Sequence, residues 1–280
     1  MRQDFSMLNY DFMHGALGVG LYFLKKKTNP EHIQELVDFL YDTAEKDIKN
    51  NTYKWKSIVE YEKNNYGYNL ALSHGITSII IFLSLVVKNG KSNKKVINML
   101  SGAISFILSQ QKNFLQFGSY FPNHFLENSP TDDLKSRLAW CYGDLGIGIA
   151  FWQAGKTTNN QKWKNKGTEI LLQSTKRRTY NDTYIREAGI CHGSAGVALI
   201  FRRIFLETHC NEFMEATQYW INKTLELSIC EDGLAGYKSL IKDNWVCDYS
   251  LLTGVAGIGL VLLSLLDNNQ QKWDEVFLLS

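Results

Sequence analysis

The sequence predicts an all-α protein assembled from repeated helical hairpins, and three observations carry that expectation. Glycine pairs recur at long intervals, each glycine segment runs into an apolar stretch, and the stretches between are apolar on one side only. With three prolines in 280 residues and little apolar–polar alternation, strands are not expected to organise the core.

Five segments make the repeat: Gly15-Ala-Leu-Gly18-Val-Gly20, Gly75-Ile-Thr-Ser78, Gly143-Asp-Leu-Gly146-Ile-Gly148, Gly193-Ser-Ala-Gly196 and Gly254-Val-Ala-Gly257-Ile-Gly259. Their first glycines lie 60, 68, 50 and 61 residues apart, room for two helices and two connections, so each unit reads as a hairpin. Behind the glycines come stretches such as Val19-Gly-Leu-Tyr-Phe-Leu24 and Val197-Ala-Leu-Ile-Phe201, suited to buried helices. The longest nearly apolar run, Ile76 to Val87, falls short of the roughly 18 residues that a membrane span needs and reads as a core helix.

Amphipathic helices alternate with these. Over residues 31 to 48, Ile33, Leu36, Val37, Leu40, Tyr41, Ala44 and Ile48 share one face, and the acidic residues lie largely off it. Val96, Leu100, Ala103, Ile104, Ile107 and Leu108 repeat the pattern, as do Phe213, Ala216, Trp220, Ile221 and Leu225. Glycines three apart occupy one helix face, which predicts close approach of neighbouring helix backbones there, with Ser78 slightly widening the packing of its repeat. The connection from Asn113 to Lys135, which contains Phe117-Gly-Ser-Tyr-Phe-Pro-Asn-His124 and Ser129-Pro-Thr-Asp-Asp133, is long enough to be a substrate-facing rim or a surface loop.

A composition of 45% hydrophobic and 21% charged residues is that of a soluble globular protein, read here as one domain over residues 1–280. The net charge of +2 gives no polyanion footprint, so nucleic acid is not an expected partner. Met1-Arg-Gln-Asp-Phe-Ser6 lacks the cationic and then apolar order of a secretory signal, which places the chain in the cytoplasm. Five cysteines at irregular spacing argue against a complete disulfide framework and give weight to metal or thiol chemistry.

Directly before two glycine segments stand Trp140-Cys141-Tyr142-Gly143 and Cys191-His192-Gly193, so equivalent repeat positions bring two thiols and an imidazole to the same end of the helices. A Cys, Cys, His set leaves the fourth tetrahedral position of a zinc ion open, as in catalytic rather than structural sites. Residue by residue, the alternative is a buried cysteine beside a hydrogen-bonded histidine. Cys210, Cys230 and Cys247 fit no ligand pattern and read as buried thiols.

These two motifs, at the heads of glycine-paired helices, resemble the signatures of the lanthionine synthetase C-like family, the lanthipeptide cyclases. The resemblance extends to Ser73-His74-Gly75, to Asn9-Tyr10-Asp11 before Gly15, and to Asp248-Tyr249-Ser250 before Gly254. It implies an α,α-toroid of inner and outer helices, in which the family's helical repeats before the aspartate segment are expected to be missing. It also implies a zinc ion held by Cys141, Cys191 and His192, and catalytic roles for His74, Asp11, Arg137 and Tyr142. His74 is the choice for proton donor, with Asp11 orienting it and Arg137 or Tyr142 stabilising enolate charge. His14, which precedes Gly15 as His74 precedes Gly75, is an internal rival, and Asp11 suits a helix cap equally.

The function so implied is addition of cysteine thiolates of a dehydrated precursor peptide to dehydroalanine or dehydrobutyrine, closing thioether rings. Its partners are that precursor peptide, a separate dehydratase and a peptide-export transporter, with peripheral membrane association through partners only. A non-catalytic toroid scaffold or peptide-binding subunit is the alternative. A toroidal glycosidase would need paired carboxylates, and Asp144 and Asp248 stand at different offsets from their glycines. An enzyme adding glutathione to dehydrated residues would share the zinc chemistry.

Overall fold

The computed structural model describes residues 1–60, 64–127, 135–266 and 272–279. Helices begin immediately after the glycines, as the repeat predicts. Four hairpins follow in chain order: α2 (Ala16–Lys26) with α3 (Pro30–Thr43), α4 (Ile76–Lys88) with α5 (Lys94–Ser109), α7 (Asp144–Thr158) with α8 (Gln161–Ser174), and α10 (Ser194–Thr208) with α11 (Asn211–Glu226). The fifth glycine segment opens α12 (Val255–Leu266), and among the described residues after it the chain forms a 3-10 turn over Trp273–Phe277. Short helices α1 (Arg2–Ser6), α6 (Phe114–Phe117) and α9 (Tyr180–Thr183) fill connections.

The chain divides into two compact units, residues 1–136 with 146–169, and residues 137–145 with 170–280. In the first, α4 is buried continuously from Ile76 to Val86, as its all-round apolar sequence requires. Outer helices bury one face only: Ile33, Leu36, Val37 and Leu40 of α3, and Val96, Leu100, Ala103, Ile104 and Ile107 of α5. Asn93 caps α5 by accepting the Val96 N–H at 2.9 Å. The backbones of α7 and α8 approach closely where Gly155 meets Lys164 and Gly167 meets Trp152.

The predicted helix over residues 31 to 48 stops earlier, at Thr43, and Ile48 is 93% exposed. The chain turns instead into an antiparallel pair, β1 (Glu45–Asp47) with β2 (Thr52–Lys54). Trp55, just beyond it, is buried and donates its Nε1–H to the Leu40 carbonyl at 2.8 Å, which ties the connection to α3. A second sheet has the order β3 (Ser57–Glu60), β4 (Asn65–Asn69), β5 (His124–Phe125), all antiparallel. The long connection from Asn113 is therefore partly structured by α6 and by β5, which pairs Phe125 with Tyr68 and His124 with Asn69. Its Ser129–Asp133 portion lies outside the described residues.

In the second unit, α10 and α11 form the core hairpin. Phe213, Ala216 and Trp220 are buried there, whereas Leu225 is 52% exposed. The strands β6 (Ser239–Ile241) and β7 (Asn244–Val246) make a third small sheet. Two buried contacts pin the 3-10 turn: Trp140 donates Nε1–H to the Phe277 carbonyl at 2.8 Å, and Arg203 grips Asp274 with both Nε and Nη2. Asp144, in the first turn of α7, is fully buried beside Arg177 at 3.7 Å.

The second glycine of three of the pairs does a different job from the one its spacing suggests. A methyl group on Gly18, Gly196 or Gly257 runs into the carbonyl oxygen of Phe12, Ile190 or Leu251, in each case the residue six earlier. The close approach is thus between each helix and its own incoming loop, so the glycine fixes the loop's path. Ser78 stands at the same phase, fully buried, and donates its hydroxyl to the Gly75 carbonyl at 2.7 Å, turning its side chain onto its own helix.

Candidate functional site

The incoming loops carry every residue of chemical interest, and their phase relative to the first glycine sets what each can do. One residue before it stand His14, His74, Tyr142, His192 and Thr253; two before it, Met13, Ser73, Cys141, Cys191 and Leu252; six before it, Asn9, Asn69, Arg137, Glu187 and Asp248. At the six-before phase, Asn9, Asn69 and Asp248 each accept the N–H two residues on through Oδ1, at 3.2, 2.9 and 2.8 Å, which curls the loop into an Asx turn.

In the first unit, Asp11 and His74 meet. Asp11 Oδ2 lies 2.8 Å from His74 Nδ1, while its Oδ1 accepts the N–H groups of Met13 and His14 at 2.6 and 2.8 Å. One carboxylate therefore both fastens its own loop and contacts the imidazole, but it does not cap the helix as the sequence also suggested: the N-cap of α2 is Gly15, and Asp11 closes the turn before it. The His14 ring stacks on that of His74 with centroids 5.7 Å apart, making His14 a neighbour within the same cluster.

In the second unit, Cys141 and Cys191 meet. The Cys191 carbonyl accepts the N–H groups of Trp140 and Cys141 at 3.1 and 3.2 Å, and the Leu252 carbonyl accepts those of Ile190 and Cys191 at 3.0 and 2.9 Å. Successive loops are in register through the same phase, which is why the two thiols are neighbours. Their side chains share a hydrogen bond: it holds the Cys141 thiol below the ordinary thiol range, reinforced by the Arg137 charge, and pushes Cys191 up. Cys141 is buried, Cys191 and Tyr142 are half-buried, and Arg137 is exposed.

His192 Nε2 lies 3.3 Å from Glu187 Oε1. Burial, with the Arg137 charge, pushes the imidazole below its ordinary range, which favours the neutral ring at this contact. Burial pushes the Glu187 carboxyl up. Glu187 is 3% exposed and accepts the Leu240 N–H through Oε2 at 2.6 Å, which ties β6 to the loop. The sequence reading missed Glu187, although its phase, shared with Arg137, marks it. It also shares that phase with Asp248, whose Oδ2 is engaged by the Thr253 hydroxyl at 2.5 Å.

Among the described residues, no three His, Cys, Asp or Glu side chains already stand together as a metal's ligand set. The donor chemistry nevertheless fits zinc: two neighbouring thiols, one held below the ordinary thiol range, and an imidazole whose neutral form is favoured, in contact with the buried Glu187 side chain. Cys210, Cys230 and Cys247 contribute nothing to this cluster, and they are less buried than expected, half-buried in two cases and exposed for Cys247. Among the described residues no helix is long and apolar enough to cross a membrane.

Comparison with known proteins gives the family and the fold class. The family described as lanthionine synthetase C-like protein matches residues 1–278. The nisin biosynthesis protein NisC of Lactococcus lactis subsp. lactis is 25% identical over 227 residues, 74% of this chain and 52% of NisC, so the chain spans about half the length of that curated relative. The solved structure of nisin cyclase matches with a TM-score of 0.76 at 20% identity, covering 97% of this chain and 67% of that one, which shows the α,α-toroid fold class.

Proposed function

We propose that this chain, which belongs to the lanthionine synthetase C-like family, is a zinc-dependent lanthipeptide cyclase acting as one domain over residues 1–280. Its substrate is a dehydrated precursor peptide made in the cytoplasm, with a separate dehydratase supplying the dehydroalanine and dehydrobutyrine residues and a transporter exporting the product. The observation that carries this reading is that the loops of Cys141 and Cys191 are joined in register through the Cys191 carbonyl, so that the two thiols are neighbours, with His192 next in sequence to Cys191.

The reaction is an isomerisation. A substrate cysteine gives up its S–H proton, sulfur bonds to the β-carbon as the π electrons move toward the α-carbon and its carbonyl, and the α-carbon then takes a proton. Nothing else is consumed. Cys141, Cys191 and His192 would hold zinc, which when bound lowers the pKa of a substrate thiol. The hydrogen bond between the two thiols, with the Arg137 charge, favours deprotonation of Cys141 and disfavours that of Cys191, whose proton zinc binding would have to displace.

His74 supplies the proton to the α-carbon. Because Asp11 holds Nδ1, the nitrogen that exchanges a proton with substrate is Nε2. Asp11 keeps the ring oriented and leaves Nε2 as the nitrogen open to proton transfer. Arg137 and Tyr142 stabilise the negative charge that develops on the carbonyl oxygen.

The test is to incubate the chain with a dehydrated, cysteine-containing peptide and to count remaining thiols by alkylation and mass spectrometry. Ring closure leaves the peptide mass unchanged and removes one alkylation per ring. The reading predicts this loss with wild type and not with Cys141→Ala. Full alkylation with the zinc-loaded wild type across several dehydrated peptides would refute it and favour a peptide-binding scaffold.

A further inference from the structure

We infer that Glu187 is a positioning residue for His192: it fixes the proton on Nε2, so that Nδ1 is the nitrogen presented to a metal. This rests on the zinc reading above and goes beyond it by selecting the ligating atom and the group that selects it. Three observations on this chain converge.

The first is an unanswered acceptor. Glu187 Oε1 is buried and, among the described residues, accepts no conventional hydrogen bond, yet it lies 3.3 Å from His192 Nε2. A buried oxygen left unpaired costs about 1–3 kcal/mol, so a donor is called for at that nitrogen. The second is the anchor: Oε2 accepts the Leu240 N–H at 2.6 Å, which prevents the carboxylate from turning away from the ring. The third is phase. Glu187 stands six residues before Gly193, and His192 one before it, so the same loop that delivers the imidazole carries its carboxylate partner.

A neutral imidazole has one N–H and one lone pair. With Oε1 as the acceptor, the N–H sits on Nε2 and the lone pair on Nδ1. The hydrogen bond also makes that lone pair more basic and sets the plane of the ring.

The direct test is the tautomer in the wild-type chain. Ring-15N histidine labelling of the zinc-loaded protein, with His192 assigned by His192→Asn, should show the proton on Nε2 and the metal shift on Nδ1. Metal on Nε2 would overturn the proposal even if zinc binds. Zinc affinity, measured by competition with a chromophoric chelator, should fall about 10–100-fold in Glu187→Ala. Glu187→Gln, whose single amide oxygen can accept from His192 or from Leu240 but not from both, should lose less affinity than Glu187→Ala. Equal affinity in Glu187→Ala and wild type would also overturn it. Absence of zinc from the wild type would instead remove the underlying zinc reading, and this inference with it, a result distinct from either of the others.

Discussion

Cys141 donates its backbone N–H to the carbonyl oxygen of Cys191 at 3.2 Å, so the two thiol-bearing loops are joined through main chain before any metal need join them. That register depends on the loops following one path, and the path is set by glycines under which the loop carbonyls are tucked.

Adding a methyl group at Gly196, against the Ile190 carbonyl, should therefore displace the loop that carries Cys191. Gly196→Ala is expected to destabilise the chain by about 1–3 kcal/mol. Gly259→Ala, in the interior of α12 with nothing within 4 Å of the new methyl, should stabilise it by about 1 kcal/mol through helix propensity. Urea denaturation of the two variants beside wild type distinguishes packing at the loop from a general intolerance of alanine.

The Arg203–Asp274 pair is buried on both sides. Arg203→Ala leaves an uncompensated carboxylate in the core and should cost about 3–5 kcal/mol. Adding Asp274→Ala should recover part of that loss, as expected of a directly coupled pair. A strictly additive double variant in thermal or urea unfolding would contradict the coupling.

His74→Asn should slow ring closure by about 10²–10⁴-fold, the range for loss of a positioned general acid. Asp11→Asn should slow it less, because an amide oxygen can still accept the Met13 and His14 N–H groups that fasten the loop. Single-turnover mass spectrometry on a dehydrated peptide reads both. An unchanged rate in His74→Asn would transfer the proton-donor role to His14, whose ring stacks on it.

Much of this arrangement was legible in the sequence because it is periodic. The glycine phase located the start of each long inner helix, and the Cys141 and Cys191 phases already implied neighbouring thiols. What escaped was local. Glu45–Asp47 forms a strand with every side chain exposed, so it carries no apolar alternation to be seen. Ile48 continued the helical face of α3 on paper but falls after the chain has turned into β1, where tertiary pairing outweighs pattern. The role of Gly196 was assigned to helix–helix packing because spacing identifies a face without identifying what lies against it. Glu187 was overlooked because a glutamate between Arg186 and Ala188 looks like surface charge until its phase is aligned with Arg137 and Asp248.

The measurement that tests the metal centre most directly is zinc content by elemental analysis on the purified chain, with Cys141→Ala and Cys191→Ala alongside. About one zinc per chain in wild type, lost in both variants while helicity is retained, is the predicted result. A folded wild-type chain that takes up no zinc, or cysteine variants that keep it, would contradict the assignment of Cys141, Cys191 and His192 as the ligands.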